Sequence, residues 1–341
     1  MKPPTTRRAF TLIELIIVLL LGAGLVGLLL PALGRARSSA RQLKCATQIR
    51  GMHQGMVIFA QNNNDEYVLP SKLDKANNTL AVDAGAGQGI KDQTKNIVSC
   101  LIYGGFFGPE LCVSPAESNP DIEVDPDYQY SEPSASVGKK LALWDPMYKA
   151  APGPAFQGTR DQDKGNLSYA HAMPFGARRK AWSNTFNAAE AVFGNRGPWY
   201  ELSGGPSGSW RLSEKKPVDA LPYSGADRAA TVSNTLLIHG RRDSWEGNIG
   251  YNDNHIEYHT MPDPQASLIT FSVLAKPSNV LGDNLFVDEN EKDRSPGPDS
   301  LVGDGPSTNT NMYLRIYNGG YAIGTGKVQE MLHLKGAWFA D

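Results

Sequence analysis

Apolar positions follow three regimes along the chain. Residues 10–33, FTLIELIIVLLLGAGLVGLLLPAL, are apolar almost throughout, and Glu14 is the one charge among them. At about 1.5 Å per residue this stretch predicts a helix of roughly 36 Å, enough to cross a bilayer core of about 30 Å. After Pro31 the pattern becomes one-sided. Leu33, Ala36, Ala40, Leu43, Ala46, Ile49, Met52, Met56 and Phe59 recur at spacings of three and four, while Arg35, Arg37, Arg41, Lys44 and Arg50 lie mainly off that stripe. Asn62-Asn63-Asn64-Asp65 predicts the stop. The two regimes make one helix from Phe10 to about residue 62, roughly 80 Å long. Its first half needs lipid or other helices around it; its second half needs a head to pack on.

The third regime, residues 63–341, has short, weakly patterned segments. Residues 71–99 are polar and Gly-rich and predict a long surface loop. CLIYGGFFGPELCVSPAES predicts a core segment with turns. Residues 113–230 scatter Pro, Gly and aromatics and predict an insertion of loops and short strands, whose aromatics fill core where buried and offer a carbohydrate- or protein-binding surface where exposed. A C-terminal antiparallel sheet is expected over 231–341. Its strands are TVSNTLLIHGR, GNIGYNDNHIEYHTM with a tight turn at Asn252-Asp253-Asn254, SLITFSVLAK, NMYLRIYNG, GYAIGTG and MLHLKGAWFA. The fold class is therefore α+β: a long N-terminal helix, its first half transmembrane, packed on an antiparallel sheet head with long loop insertions.

Composition narrows the function classes. A net charge of −2 over 341 residues offers no electrostatic case for nucleic acid. The 35 glycines and 23 prolines fit a head rich in turns. Cys45, Cys100 and Cys112 form no CxxC and no zinc pattern.

The apolar segment admits a cleaved secretory signal or a plain signal anchor. The first is disfavoured by its length and by Glu14 inside the apolar run. For the second, Lys2, Arg7 and Arg8 precede the span but Arg35, Arg37, Arg41 and Lys44 follow it, so the positive-inside rule does not favour an N-in anchor. A charge at bilayer depth costs roughly 2.5–3.5 kcal/mol on lenient scales. Glu14 either snorkels to the headgroups or has a partner.

A third reading supplies that partner. Ala9-Phe10-Thr11-Leu12-Ile13-Glu14 closely resembles the prepilin motif of type IV pilins and type II secretion pseudopilins. The resemblance implies removal of residues 1–9 by a prepilin peptidase between Ala9 and Phe10, followed by N-methylation of Phe10. It makes Glu14 the fifth and Pro31 the twenty-second residue of the mature chain, both family positions. Ala9 departs from the usual Gly. The new amine then pairs with Glu14 in its own chain or a neighbour, fixing register between stacked helices. IRGMHQGMVIFAQNNNDEYVLPS also resembles the end of the pseudopilin helix. The resemblance implies a structural subunit of a pilus-like fibre, with no enzymatic activity. Its partners are the prepilin peptidase, like subunits, other pilins or pseudopilins and the inner membrane. The chain would cross that membrane once and carry its head in the periplasm. The alternative is a membrane-anchored extracytoplasmic head, ligand-binding or metal-dependent, that uses the leader only for delivery.

Other motifs carry less. Gly22-Ala23-Gly24-Leu25-Val26-Gly27 fits GxGxxG but lacks the strand, turn and later acid of a dinucleotide site, so the glycines are read as helix-packing positions or as local unwinding near Pro31. Ser213-Glu214-Lys215-Lys216 fits SxxK without its companion motifs. His239, Asp253, His255 and His259 are the one cluster with metal-ligand chemistry, but HIEYHTMP has strand character, which sets His255 and His259 roughly 13 Å apart. IHGRRDSWEGNIGYNDNHIEYH resembles a His-then-Asp/Asn-His pattern of prepilin-leader proteins with enlarged heads, a pattern of unknown role. His53 reads as a packed residue. Asp283, Asp288, Asn290 and Asp293 offer oxygens to Ca²⁺, weighted by the calcium loop of major pseudopilins but without EF-hand spacing. An extracytoplasmic head would allow Cys100 and Cys112 to bridge; the equal alternative is two buried thiols.

Overall fold

The computed structural model describes residues 10–83, 87–152, 164–214, 220–222, 229–277, 279–295, 309–321 and 335–340. Residues 1–9, including Ala9, lie outside the described residues.

The chain is α+β. Helix α1, Leu12–Gln61, runs unbroken for 50 residues with Pro31 inside it. Its start is locally specified. The Thr11 side chain accepts from the Glu14 amide at 3.3 Å, and the Thr11 amide donates to Glu14 Oε2 at 2.8 Å. This reciprocal cap satisfies two of the amides that any helix start leaves open. At the other end Asn62 caps α1, and the Asn63 side chain donates to the Phe59 carbonyl at 2.8 Å.

The two halves of α1 differ in burial. The apolar side chains from Leu12 to Leu33 are exposed, whereas Cys45, Gln48, Ile49, Met52, His53, Gly55, Met56 and Ala60 are buried. The expected stripe is right from Ile49 onward. Leu33, Ala36, Ala40 and Leu43 stand exposed because the head reaches back only to about Gln42, whose carbonyl accepts from Asn248 Nδ2.

Residues 71–99 are not one surface loop. They contain the end of α2, Pro70–Leu73, and most of α3, Thr94–Tyr103. Helix α3 buries Ile97, Val98, Leu101 and Ile102 in the same core as Ile49, Met52 and Met56 of α1. Its polar opening, DQTKN, hides the apolar face that follows.

Strands follow in chain order: β1 Tyr169–Ala172, β2 Ala191–Asn195, β3 Tyr200–Ser203, β4 Ser209–Leu212, β5 Ala220–Pro222, β6 Gly247–Tyr251, β7 Ile256–His259, β8 Leu268–Thr270, β9 Val280–Gly282, β10 Leu314–Arg315, β11 Tyr317–Tyr321 and β12 Lys335–Ala340. The main sheet has the order β10-β1-β2-β6-β7, antiparallel throughout. A second sheet, β11-β12-β5, joins β12 and β5 in parallel, and β3-β4 and β8-β9 are separate hairpins.

Two expectations are corrected here. The sheet is not confined to 231–341: β1 and β2 come from the stretch read as an insertion of loops and short strands, and they join the main sheet. Residues 231–241 are not a strand either. They form 3-10 turns over Ala230–Val232 and Asn234–Leu237, where Ser233 Oγ accepts the Thr235 amide at 3.3 Å.

The sheet lies between two cores. Tyr169, Phe193 and Ile316 face the core shared with α1 and α3, while Ala170, Ala191 and Leu314 join Trp245, Leu285 and Phe286 on the other side. Strand β6 runs close under α1. A Cβ on Gly250 would stand 2.9 Å from Ile49 Cγ2, so that crossing needs glycine.

Candidate functional site

The protein presents an arm and a head. The arm is the free half of α1, and one helix in the described residues is long and apolar enough to cross a membrane. Arg35, Arg37 and Arg41 are exposed just past the apolar run and form a basic collar. Among the described residues nothing approaches within 4 Å of where a Cβ would stand on Gly22, Gly24 or Gly27. Among the described residues these glycines serve no packing contact, and Pro31 does not break the helix. Glu14 is exposed and bonded locally, its Oε2 accepting from the Thr11 amide and from Thr11 Oγ1 at 2.9 Å. Phe10 is 83% exposed at the arm's tip.

The arm is held to the head through a buried polar junction. His53 is fully buried; its Nδ1 lies 3.1 Å from Asn254 Oδ1 and its Nε2 2.9 Å from Tyr67 Oη. Tyr67 donates to Asn252 Oδ1 at 2.5 Å, and Asn252 Nδ2 donates to the Ser183 carbonyl at 2.9 Å. Asn254 has φ of +69°, a left-handed conformation that Asn tolerates better than most residues. The turn residues expected from the sequence thus serve as a clasp on α1. Burial lowers the His53 pKa, and the Asn254 bond opposes that shift. The packed reading of His53 agrees with this placement.

The head histidines do not converge. The His239 ring meets Tyr258 edge-on at 6.1 Å, its buried Nε2 has no hydrogen-bond partner, and burial lowers its pKa to about 4. His255 bonds Asp253 through Nδ1 and stacks on Tyr251 with ring centres 4.5 Å apart. His259 Nε2 lies 2.8 Å from Tyr251 Oη. His255 and His259 therefore hold one tyrosine between them. Among the described residues no group of three or more His, Cys, Asp or Glu side chains is arranged to hold a metal. Lys215 and Lys216 of the SxxK stretch lie outside the described residues.

The four residues expected to offer oxygens to Ca²⁺ are not gathered into one ligand set among the described residues. Asp288 Oδ1 receives Arg178 Nη2 at 2.6 Å and Asn309 Nδ2 at 2.9 Å. Asp283 Oδ2 accepts the Met312 amide at 2.6 Å. Asn290 Oδ1 accepts the Lys292 amide at 2.9 Å, and Asp293 Oδ1 accepts the Ser295 amide at 3.0 Å and Ser295 Oγ at 2.6 Å. A guanidinium occupies Asp288, the distant Met312 amide holds one oxygen of Asp283, and Asn290 and Asp293 close their own local turns.

Of the two readings of Cys100 and Cys112, the structure has the buried thiols. Cys45, Cys100 and Cys112 are all free and buried. Burial raises the Cys100 thiol well above its usual range and the Cys112 thiol to about 12.

Sequence reading missed a second buried chain of bonds. The Tyr317 amide donates to Thr94 Oγ1 at 2.8 Å, Thr94 Oγ1 lies 2.7 Å from His171 Nε2, and His171 Nδ1 lies 2.7 Å from the Ala172 carbonyl. The carbonyl can only accept, so Nδ1 carries the proton and Nε2 accepts from Thr94. These bonds join α3, β1 and β11. No local motif marks them, because the three residues are far apart in the chain.

No known protein family, no curated protein and no solved structure matches this chain.

Proposed function

We propose that this protein is a pilin- or pseudopilin-like structural subunit that assembles through the free half of α1 into a pilus-like fibre, with its head outside the inner membrane. One observation carries this reading. An apolar helical arm leaves the head without a single buried side chain before Cys45, and it begins with the Phe10-Thr11-Leu12-Ile13-Glu14 stretch that resembles the prepilin motif. About 45 Å of helix between Leu12 and Arg41 is then available to neighbouring subunits or lipid. The clasp of His53 and Tyr67 on the 252–254 turn supports it further, since a load-bearing arm must be fastened to its head.

In this reading, peptidase cleavage before Phe10 exposes an ammonium that becomes the counter-ion of Glu14 in an adjacent helix. Glu14 would exchange its bonds to Thr11 for that ion pair. In low dielectric an unpaired carboxylate is strongly disfavoured, so the pair fixes helix register.

N-terminal sequencing and mass analysis of protein from the native membrane test the reading. A mature chain starting at methylated Phe10 is expected. A chain beginning at Met1 sinks the proposal. Glu14→Ala distinguishes assembly from simple anchoring: assembly predicts normal cleavage with loss of fibre incorporation, whereas an anchored head is indifferent to the change.

A further inference from the structure

Between the apolar arm and the head lies a belt of cations that the chain itself does not neutralise. Arg35, Arg37, Arg41 and Lys44 are all exposed and follow closely on Leu33, the last leucine of the apolar run. From Glu14 to Asp65 the chain carries no carboxylate. Among the described residues none of the four side chains is held in an ion pair, a hydrogen bond or a ring contact. With the head outside, they also stand on the side of the span where the positive-inside rule disfavours cations.

Their placement fits a headgroup layer. The polar layers of a bilayer add roughly 5–8 Å on each side of its hydrocarbon core. At about 1.5 Å per residue, Arg35 and Arg37 stand roughly 3–6 Å beyond Leu33, and Arg41 and Lys44 roughly 12–17 Å. The Cα–Cβ bonds of a helix tilt toward its N-terminus, so these long side chains leave the backbone in the direction of the arm. The belt also goes round the helix. At about 100° per residue, Arg35 lies roughly 120–180° away from Arg37, Arg41 and Lys44. One partner helix would meet a single face of it; a layer of anionic headgroups meets both.

We propose that Arg35, Arg37, Arg41 and Lys44 bind anionic phospholipid headgroups of the leaflet on the head side. The inference rests on the membrane placement of the arm in the reading above, and adds to it the class of lipid and the depth at which α1 sits. Lipid phosphates supply the counter-charge that the chain lacks and offset the unfavourable side on which these cations lie.

Lipid selection by the full-length protein tests it. The protein in neutral detergent is mixed with equal amounts of phosphatidylcholine and phosphatidylglycerol and re-isolated, and the bound lipid is quantified by mass spectrometry. Phosphatidylglycerol is expected in excess. The variant carrying Arg35→Gln, Arg37→Gln, Arg41→Gln and Lys44→Gln should lower the ratio at least about fivefold, the worth of one cation near an anionic surface. Lys2, Arg7 and Arg8 are common to both proteins, so the difference reports the belt. Glutamine is a good helix former and all four positions are exposed, so the unfolding midpoint should not move. If the quadruple variant fails to fold, the double variant Arg37→Gln, Arg41→Gln decides the matter with the same expected fall. Flotation with phosphatidylcholine vesicles keeps the two readings apart, because parent and variant share an intact apolar arm and should both float. Floating with no preference for phosphatidylglycerol, or with a preference that the variant keeps, overturns the lipid belt and leaves the membrane reading in place. A parent that does not float removes both. An unchanged lipid ratio with loss of self-association in the variant also overturns the proposal, and gives the cations to a neighbouring subunit.

Discussion

His53 on α1 and Asn254 in the β6–β7 turn are joined by a hydrogen bond of 3.1 Å across 201 residues of sequence. Beside it, Tyr67 links the other imidazole nitrogen to Asn252. The helix that leaves the head as a bare arm is fastened at this buried junction.

Breaking the clasp should loosen arm and head together. His53→Ala leaves Asn254 and Tyr67 partly unsatisfied in a buried site and is expected to cost about 2–4 kcal/mol. Asn254→Ala loses the bond and places Ala at positive φ, costing about 1–3 kcal/mol. Denaturant unfolding of the two single variants and the double variant should give a coupling of about 0.5–3 kcal/mol. Strict additivity would show that the bond does not contribute.

Glycines on the two halves of α1 should respond differently. A Cβ on Gly55 would stand 2.8 Å from Phe107 Cδ1 and 3.2 Å from Phe106 Cβ, whereas one on Gly24 meets nothing. Alanine raises helix propensity by about 1 kcal/mol at either position. At Gly55 the overpacking penalty, about 1–3 kcal/mol, outweighs that gain. Gly55→Ala should lower the unfolding midpoint of the head, and Gly24→Ala should leave it unchanged.

Acid should act through buried histidines, against an opposing carboxyl. Burial depresses the His171 pKa to about 4, with the Ala172 carbonyl bond opposing. From about pH 6.5 down to 4 the unfolded chain takes up a proton that folded His171 refuses, so this group's contribution is lost as pH falls. His239, also near 4, has the same sign. Asp283 is displaced the other way, to about 7, so the folded state keeps a proton that the unfolded chain releases above about pH 4. Its contribution is lost as pH rises towards 7. Single variants separate the terms. His171→Asn should flatten the loss between pH 6.5 and 4 by up to about 1.4 kcal/mol per pH unit. Asp283→Asn should improve stability at pH 8 relative to pH 5. Unchanged slopes in both variants would mean that neither group is buried as described.

The thiols should be silent. With Cys45, Cys100 and Cys112 all buried and free, a thiol reagent should label the native chain slowly and should find three sites on denaturation. A mass two daltons low, or only one site after denaturation, would restore the Cys100–Cys112 bridge.

Much of the helix was legible in the chain. The apolar run, the one-sided pattern after it and the Asn-rich stop define α1 to within a few residues, because helix bonds are local and its periodicity shows directly in the sequence. The Asn252–Asn254 turn was legible for the same reason. What each element packs against was not. Leu33 and Leu43 continue the stripe yet face open space, since only the head's extent decides where burial begins.

How far the sheet extends beyond its C-terminal strands, and what surrounds Asp283, were decided by tertiary structure alone. Strand β1 pairs His171 with Arg315, and every residue of β2 is buried, so β2 lacks the alternation that would announce it. Asp283 was visible as one acid among several, with nothing local to separate it from Asp293. Arg178, Asn311 and Met312 give it its environment, and they reach it only once distant strands have closed. By itself the sequence determined where the chain must be helical and where it must turn, because those preferences depend on near neighbours. Which polar groups are paired, and which are left without a partner in the interior, depends on contacts that only the completed fold brings together.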